Sequence, residues 1–332
     1  MRHHNLSAAL RPLAMLLLFS APACGGQGSG TAPPPQPSLP VVRARTGLTQ
    51  DTRLRRPALI SIDQLTGDLL YWPIKNGPGG SPITLTGNLG TYQANAMASN
   101  GNVVIIASYA PAELIEYNVK TKTEGVVPDT FGSPSHVAVD KSGTIYALSA
   151  HEVGVYPSGT SHPYEITCKE LSSTEPFSLA VDDEGDVFVE TGYGSFTGVL
   201  EVPAGSSNSC VKLHLGRKRD PGGIGIDPKT DDLILIDNPG YCAGGDEGRM
   251  TIYPKPYANA TSITRHLHAG YCAGGFRLDV DSTHIYVSDA TVDDSYALID
   301  VRTYPDGKGH GAYDDYSAYL GGFTLVPSAL PN

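Results

Sequence analysis

The hydrophobic positions of this chain recur in a phrase of about 45 residues. Each copy opens with an alternating apolar strand that ends in Asp. A turn with Gly or Asp, a β-branched strand, a loop and a third strand ending in Tyr-Pro or Val-Pro follow. The clearest copies start at residues 136–149, 178–191, 223–237 and 277–289, and their first strands end at Asp140, Asp182, Asp227 and Asp281. Short strands of this kind, separated by Gly or Pro turns, are typical of four-stranded propeller blades.

The first copy of the phrase lacks its opening strand. Residues 58–63 and 68–74 match the second and third strands of the other copies, and a weaker full copy begins at 96–108. The last apolar segment, 321–327 (GGFTLVP), aligns with the first strand at 222–228 (GGIGIDP). We therefore predict an all-β fold, a six-bladed β-propeller with four-stranded blades whose C-terminal strand completes the first blade. Such a closure removes open strand edges.

The N-terminal segment has the features of an export signal. Arg2 and Arg11 precede an apolar run at 13–19, and small residues then lead to Cys24. Seven apolar residues are too short to cross a hydrocarbon core of about 30 Å as a helix. The segment resembles a lipoprotein signal, with Cys24 as the lipidated residue. The alternative is cleavage nearby that leaves Cys24 as a free thiol.

The predicted organisation is a signal peptide at 1–23, a lipidated Cys24 with a Gly- and Pro-rich tether at 24–50, and the propeller at 51–332. The expected location is the periplasm or cell surface, with contact to a membrane only through the lipid anchor. We expect a monomer.

The charge of the chain limits its partners. The formal net charge is −11 at pH 7, and removal of a signal peptide that has arginines but no acidic residue makes it more negative. Binding to nucleic acid needs clustered Lys and Arg, so no nucleic-acid partner is expected. An envelope protein or a glycan remains as the expected partner.

The remaining four cysteines are an even number, as expected in an oxidising compartment. Cys242 follows a second strand and Cys272 precedes the next first strand, and these two loops lie on the same face of a propeller. We therefore favour the pairs Cys242–Cys272 and, by elimination, Cys168–Cys210. Two other pairings are open to four cysteines. The sequence contains no Cys-x-x-Cys pair that would suggest a zinc knuckle.

The repeated phrase resembles the NHL and gluconolactonase-like superfamily of six-bladed propellers, over nearly all of the chain after the tether. This resemblance implies the fold well and the function poorly, because the scaffold carries lactonases, lyases and binding proteins. A gluconolactonase-like site implies a Glu from the first blade with Asn and Asp partners around a divalent metal. The family's early Glu-Gly-Pro phrase is absent, and the predicted closing strand ends in Val326-Pro327 without a carboxylate.

Two rings of residues mark one face of the predicted propeller. With the strands lettered a to d from the channel outward, this face carries the b–c and d–a loops. Strand a is predicted to begin at Asn95, His136, Ser178, Gly223, Arg277 and Gly322. Strand b is predicted to end at Asp63, Ser108, Ser149, Thr191, Asp237 and Asp289. Glu190 lies one residue away from the second ring, so we expect its side chain to point elsewhere.

Three aspartates of the second ring come from neighbouring blades. Asp63, Asp237 and Asp289 could hold calcium or another divalent cation, the one cofactor that the sequence suggests. The alternative is that each Asp caps its own loop through backbone N–H groups. His136 or Arg277 could orient an anionic or carbonyl ligand.

Asn95, His136, Ser178 and Arg277 are the candidate ligand-binding residues of the channel, and Tyr241 and Tyr271 are those of the loops. No catalytic residue is predicted. The favoured function is a membrane-anchored, non-catalytic propeller that binds a protein or carbohydrate on this face. The alternative is a metal-dependent, lactonase-like hydrolase or lyase.

Overall fold

The computed structural model describes residues 57–326, apart from 75–77, 88, 90–93, 128–130, 160–161, 195, 216–219, 239–247, 258–261, 268–271, 280, 291–296 and 314–319. Within its strands, the side chains at 193–194, 266, 272–274, 289–290, 297 and 321 are also not described. The predicted signal peptide, Cys24 and the tether lie outside the described residues.

The described residues form short strands and one helical turn. The strands of the first half are β1 (Ala58–Asp63), β2 (Leu69–Pro73), β3 (Ile83–Thr86), β4 (Ala94–Asn100), β5 (Val103–Ser108), β6 (Glu113–Asn118), β7 (Thr123–Val127), β8 (His136–Val139), β9 (Ile145–Leu148), β10 (Val153–Tyr156) and β11 (Tyr164–Ile166). The helical turn α1 (Lys169–Ser172) separates these from β12 (Thr174–Val181), β13 (Val187–Gly194), β14 (Gly198–Val202), β15 (Val211–Leu213), β16 (Asp220–Ile226), β17 (Leu233–Asn238), β18 (Arg249–Tyr253), β19 (Ile263–His266), β20 (Cys272–Leu278), β21 (His284–Ala290), β22 (Ala297–Thr303), β23 (Gly309–Tyr313) and β24 (Leu320–Val326).

The strands form six antiparallel four-stranded sheets, which are the six blades of a β-propeller. Blade 1 has the strand order β24-β1-β2-β3, and blades 2 to 6 are consecutive groups of four from β4 to β23. The closing strand β24 pairs with β1, with Ala58 opposite Val326 and Leu59 opposite Leu325. The predicted fold, the number of blades and the completion of the first blade by the C-terminal strand are confirmed.

The hydrophobic core is a ring of six clusters, each between two neighbouring blades. Leu59 packs with Tyr286 and Tyr313 of blade 6, whereas the next residue, Ile60, packs with Met97 of blade 2. This alternation follows from the geometry of a strand, in which successive side chains point to opposite faces. Because both faces of each b strand are covered, these strands appear in the sequence as continuous apolar runs.

The closing strand is held closely against blade 2. A Cβ atom on Gly322 would lie 2.5 Å from the Cα of Ala96, so only glycine allows this approach. The Ser99 hydroxyl donates to the carbonyl of Leu325 at 2.6 Å and accepts from Thr324 Oγ1 at 3.1 Å. The ring therefore closes through backbone contact as well as through the β24–β1 ladder.

Aspartates at the ends of a strands cap the a–b turns. Asp140 Oδ1, for example, accepts hydrogen bonds from the backbone N–H groups of Ser142 and Thr144, both at 2.8 Å. In blade 6 the capping residue is Asp279, which accepts from the N–H of Thr283 at 2.7 Å. The predicted role for Asp281 is wrong, because β20 ends at Leu278 and Asp281 is exposed within the turn.

The predicted Cys168–Cys210 disulfide is present, with a Cα–Cα distance of 6.0 Å. The two cysteines lie just outside the outermost strands rather than within them, Cys168 before α1 and Cys210 before β15. They join the outer edges of blades 3 and 4. Cys242 and the side chain of Cys272 lie outside the described part of the structure, so the Cys242–Cys272 pair stays a prediction. No helix in the described part of the chain is long and apolar enough to cross a membrane.

Candidate functional site

Two cavities lie along the channel that the six innermost strands surround. The smaller, the mouth cavity, has a volume of about 50 Å³ and is on the face that carries the b–c and d–a loops, here the mouth face. The larger has a volume of about 160 Å³ and lies toward the a–b turns. Residues from all six a strands line the mouth cavity, including Asn95, His136, Ser178, Gly223, Arg277 and Gly322. The structure thus places together the whole ring predicted at the starts of the a strands.

The register of blade 6 differs from the prediction by two residues. Gly275, and not Arg277, lies beside Gly223, since a Cβ on Gly223 would be 3.1 Å from the Cα of Gly275. Arg277 is therefore deeper in the channel and lines both cavities. At its level the other blades contribute only small side chains, from Ala98, Ala138, Ala180, Gly225 and Thr324. These small residues leave room for one long side chain.

The Arg277 side chain crosses from blade 6 to blade 2. Its Nη1 donates to the carbonyl of Phe276 at 2.9 Å, and its Nη2 donates to the carbonyl of Met97. Met97 lines only the mouth cavity, so the guanidinium end lies at that cavity. Burial lowers the pKa of Arg277 to about 10, which leaves it cationic at neutral pH.

His136 lies across the cavity from this cation. Its Nδ1 is buried and has no hydrogen-bond partner, and its ring contacts that of Phe177 at a centroid distance of 5.8 Å. Burial, and secondarily the charge of Arg277, lower the pKa of His136 to about 4. The imidazole is therefore neutral at pH 7, and of the two residues only Arg277 carries a positive charge.

Glu190 is a buried residue that holds two lining residues of the mouth cavity, a role that the sequence interpretation missed. Its Oε2 accepts a hydrogen bond from the Ser178 hydroxyl at 2.8 Å and one from the N–H of Gly223 at 3.0 Å. Its side chain lines neither cavity, and its contact with Ser178 follows from its position directly opposite Ser178 in the β12–β13 ladder. Alignment of the ladder partners, rather than of the strand ends, could have revealed this.

Two of the three aspartates proposed as metal ligands can be assessed. Asp63 caps its own b–c turn, with Oδ1 accepting from the N–H of Leu65 at 2.9 Å and Oδ2 from the Thr66 hydroxyl at 2.8 Å. Asp237 is buried and stands directly opposite Arg249 in the β17–β18 ladder. The side chain of Asp289 is not described. Since both oxygens of Asp63 serve its own turn, this residue fits the capping alternative better than a metal ligand set.

An acidic cluster lies on the opposite face, where the sequence predicted no site. Carboxylate oxygens of Asp182, Glu184 and Asp186 lie within 4.8 Å of one another. Lys255 fills the position of a cation, with its Nζ 3.0 Å from Asp182 Oδ2 and 2.6 Å from Asp231 Oδ2. Lys255 thus forms a partly exposed ion-pair network that joins blades 4 and 5.

The mouth face also exposes two large apolar side chains. Leu65 and Tyr109 lie in the b–c turns of blades 1 and 2, with exposed fractions of 68% and 54%. The Gln64 amide holds the first turn against the start of β4 by donating to the carbonyl of Ala94 at 3.3 Å. Asn95, the next residue, lines the cavity. The predicted ligand-binding residues Tyr241 and Tyr271 lie outside the described residues.

Comparisons with known proteins confirm the class of protein, which is a β-propeller. No protein-family model matches the sequence, and neither does any curated protein. A chain of the crystal structure of a nidogen/laminin complex is similar, with a TM-score of 0.66 and 12% identity over 81% of this chain and 98% of that one. TolB from Acinetobacter baumannii has a TM-score of 0.59 and 12% identity over 85% of this chain and 67% of that one. At these identities the similarity concerns the fold alone.

Proposed function

We propose that the protein is a membrane-tethered, non-catalytic propeller that binds a protein partner on its mouth face. The observation that carries the proposal is the exposure of two large apolar side chains, Leu65 and Tyr109, in the b–c turns of adjacent blades on the mouth face. Exposed apolar groups on a loop face are typical of recognition surfaces, and aromatic side chains are enriched there. Among the described residues, other large exposed apolar groups on the six blades are scattered along outermost strands.

Two further lines support a protein partner. One structurally similar chain was solved in a complex between two proteins, nidogen and laminin. The net charge of −11 disfavours polyanionic partners such as nucleic acid. A glycan partner uses the same face, and the experiment below distinguishes it.

The described carboxylates do not favour the hydrolase alternative. The carboxylate of Asp63 is used by its own turn, and the Glu190 carboxylate bonds to Ser178 and Gly223 in the channel wall. Tethering would come from lipidated Cys24, followed by an extended segment. Replacement of Cys24 by Ser should release the full chain from the membrane fraction and abolish incorporation of a labelled fatty acid. Unchanged membrane retention would contradict the tether.

Binding is tested with the full chain, cross-linked in the cell envelope and then reconstituted with the purified partner. The face variant carries Leu65→Ser and Tyr109→Ser. The matched control carries Ile83→Ser and Val211→Ser, which remove two apolar side chains of comparable exposure, 55% and 47%, from outermost strands.

We expect the face variant to weaken partner binding at least about tenfold, as loss of interface anchors does, with little change in the control. If the face variant binds the partner with wild-type affinity and the control variant does not, the interface lies elsewhere on the protein. Retention of binding after deproteination of the captured material would show a glycan partner.

A further inference from the structure

We propose that the mouth cavity is a binding site for a carboxylate group, held by the guanidinium of Arg277 beside the imidazole of His136. This proposal deepens the proposed function, since the carboxylate would be the part of a partner that enters the channel. It can nevertheless be tested without any partner, because a free carboxylate has the same chemistry.

The first argument is the unbalanced charge of Arg277. Within the described residues its guanidinium bonds only to two neutral backbone carbonyls, those of Phe276 and Met97, and forms no ion pair. Arg277 is half-buried, and even a partial loss of water around a charge is costly unless a partner compensates for it. A bound anion would supply this compensation.

The second argument is the supply of donors. A guanidinium carries five N–H groups, and two of them are used by the carbonyls. The remaining donors lie on a planar group that matches a carboxylate. The buried Nδ1 of His136 has no partner. A proton on Nε2 avoids burying an unpaired N–H at Nδ1 and makes the imidazole a neutral donor.

The third argument is size and shape. The mouth cavity has about 50 Å³, whereas one buried water needs about 10–15 Å³. A group of three heavy atoms therefore fits. Gly223, Gly275 and Gly322 line the cavity without side chains and leave its walls open. A single carboxylate group, planar and with one negative charge, also matches one cation better than a phosphate group with two charges does, so in a dicarboxylate only one of the two groups would enter the cavity.

The experiment is calorimetric titration of the purified full chain with acetate and with succinate, in chloride-free buffer of constant ionic strength. A chloride titration serves as the comparison. The variants are Arg277→Met, Arg277→Lys and, as a matched control for charge, Arg265→Met, which changes an exposed arginine of β19. We expect saturable binding of one carboxylate per chain, weakened at least about tenfold in both Arg277 variants and unchanged in the control.

NMR titration of His136 provides a second readout if Arg277→Met does not fold. A bound carboxylate opposes the field of Arg277, so the His136 pKa should rise from about 4 when formate, which unlike acetate is still largely ionised at this pH, is present in the wild type. The Lys variant should show a smaller rise. A His136 pKa that is insensitive to formate, no saturable carboxylate binding, or equal binding of chloride would overturn the proposal.

The source of the carboxylate is distinguished with the purified partner. If the partner supplies it, succinate should compete with the partner, and substitution of one acidic partner residue by its amide should reproduce the effect of Arg277→Lys. If succinate binds without competing, the site takes a free small carboxylate. Loss of partner binding in the Leu65/Tyr109 variant with intact acetate binding separates this inference from the proposed function.

Discussion

Lys255 provides a sharp test of how the blades are held together. Its Nζ contacts Asp182, Glu184 and Asp231, at 3.0, 3.0 and 2.6 Å. The side chain of Asp182 is fully buried, whereas that of Lys255 is 30% exposed and that of Glu184 is 67% exposed. The pair with Asp182 should therefore contribute most, because water cannot replace the lysine at that carboxylate.

We expect Lys255→Met to lower the free energy of unfolding by about 2–4 kcal/mol. Met retains the apolar stem but leaves Asp182 with two backbone donors, those of Glu184 and Asp186, and a weak contact to the Tyr257 hydroxyl. The range is below that for a fully buried pair, because water reaches Lys255 from one side. Chemical denaturation followed by fluorescence of the only tryptophan, Trp72, which is 1% exposed, measures the loss.

The matched control is Lys141→Met on the same face. Lys141 and Asp183 are 3.5 Å apart and about half exposed, at 51% and 48%. Such a surface pair contributes less than about 0.5 kcal/mol and is screened by salt. Equal losses in the two variants, or a Lys255→Met loss below about 0.5 kcal/mol, would refute the idea that a buried carboxylate depends on Lys255.

The pH dependence of this difference has a definite sign. Burial by itself lowers the pKa of Lys255, but hydrogen bonds to Asp231, Asp182 and Glu184 raise it overall above 10.5, its ordinary value. A raised lysine pKa stabilises the fold at neutral pH, and this contribution is lost as the pH rises past the folded-state value. The advantage of the wild type over Lys255→Met should thus stay constant up to pH 10.5 and decline only above it.

Three other predictions follow from single contacts. The pKa of His136 is lowered from 6.5 to about 4, so the free energy of unfolding should fall by up to about 3 kcal/mol as the pH drops through this interval. His136→Gln should make the free energy of unfolding, measured by denaturation at each pH, less dependent on pH in this interval. An unchanged pH dependence would contradict this. Gly322→Ala places a Cβ 2.5 Å from a backbone atom and should lower the free energy of unfolding by about 1–3 kcal/mol. The control Gly125→Ala, with open space around the new Cβ, should leave it unchanged. Equal melting temperatures of the two variants would count against the close approach. Replacement of Cys168 and Cys210 by Ser opens a covalent loop with a sequence separation of 42 and should lower the free energy of unfolding by about 4 kcal/mol, as measured by chemical denaturation. A denaturation midpoint equal to that of the oxidised wild type would show that the disulfide does not stabilise the fold.

The sequence by itself determined the architecture of the described propeller. Alternating apolar residues, turn residues and their period specify strands and blades locally, and the resemblance of the segment at 321–327 to other a strands predicted closure of the ring. These features can be predicted from the sequence because side-chain alternation and turn formation depend on residues that are neighbours in the chain. The Cys168–Cys210 pair was predictable for a related reason, since both residues lie next to outermost strands of adjacent blades.

Only the tertiary structure decided the chemistry of the channel. The two-residue shift in blade 6 placed Arg277 at a level where every other blade has a small side chain, so that it could reach the carbonyl of Met97. Glu190 turned toward Gly223 because of its ladder partner, and Lys255 met Asp182 across 73 residues of sequence. Such contacts depend on the size and direction of side chains from different blades, which no local pattern contains. The propeller fold therefore follows from local sequence patterns, whereas the arrangement of charged groups at the channel mouth is determined only when the six blades pack into a closed ring.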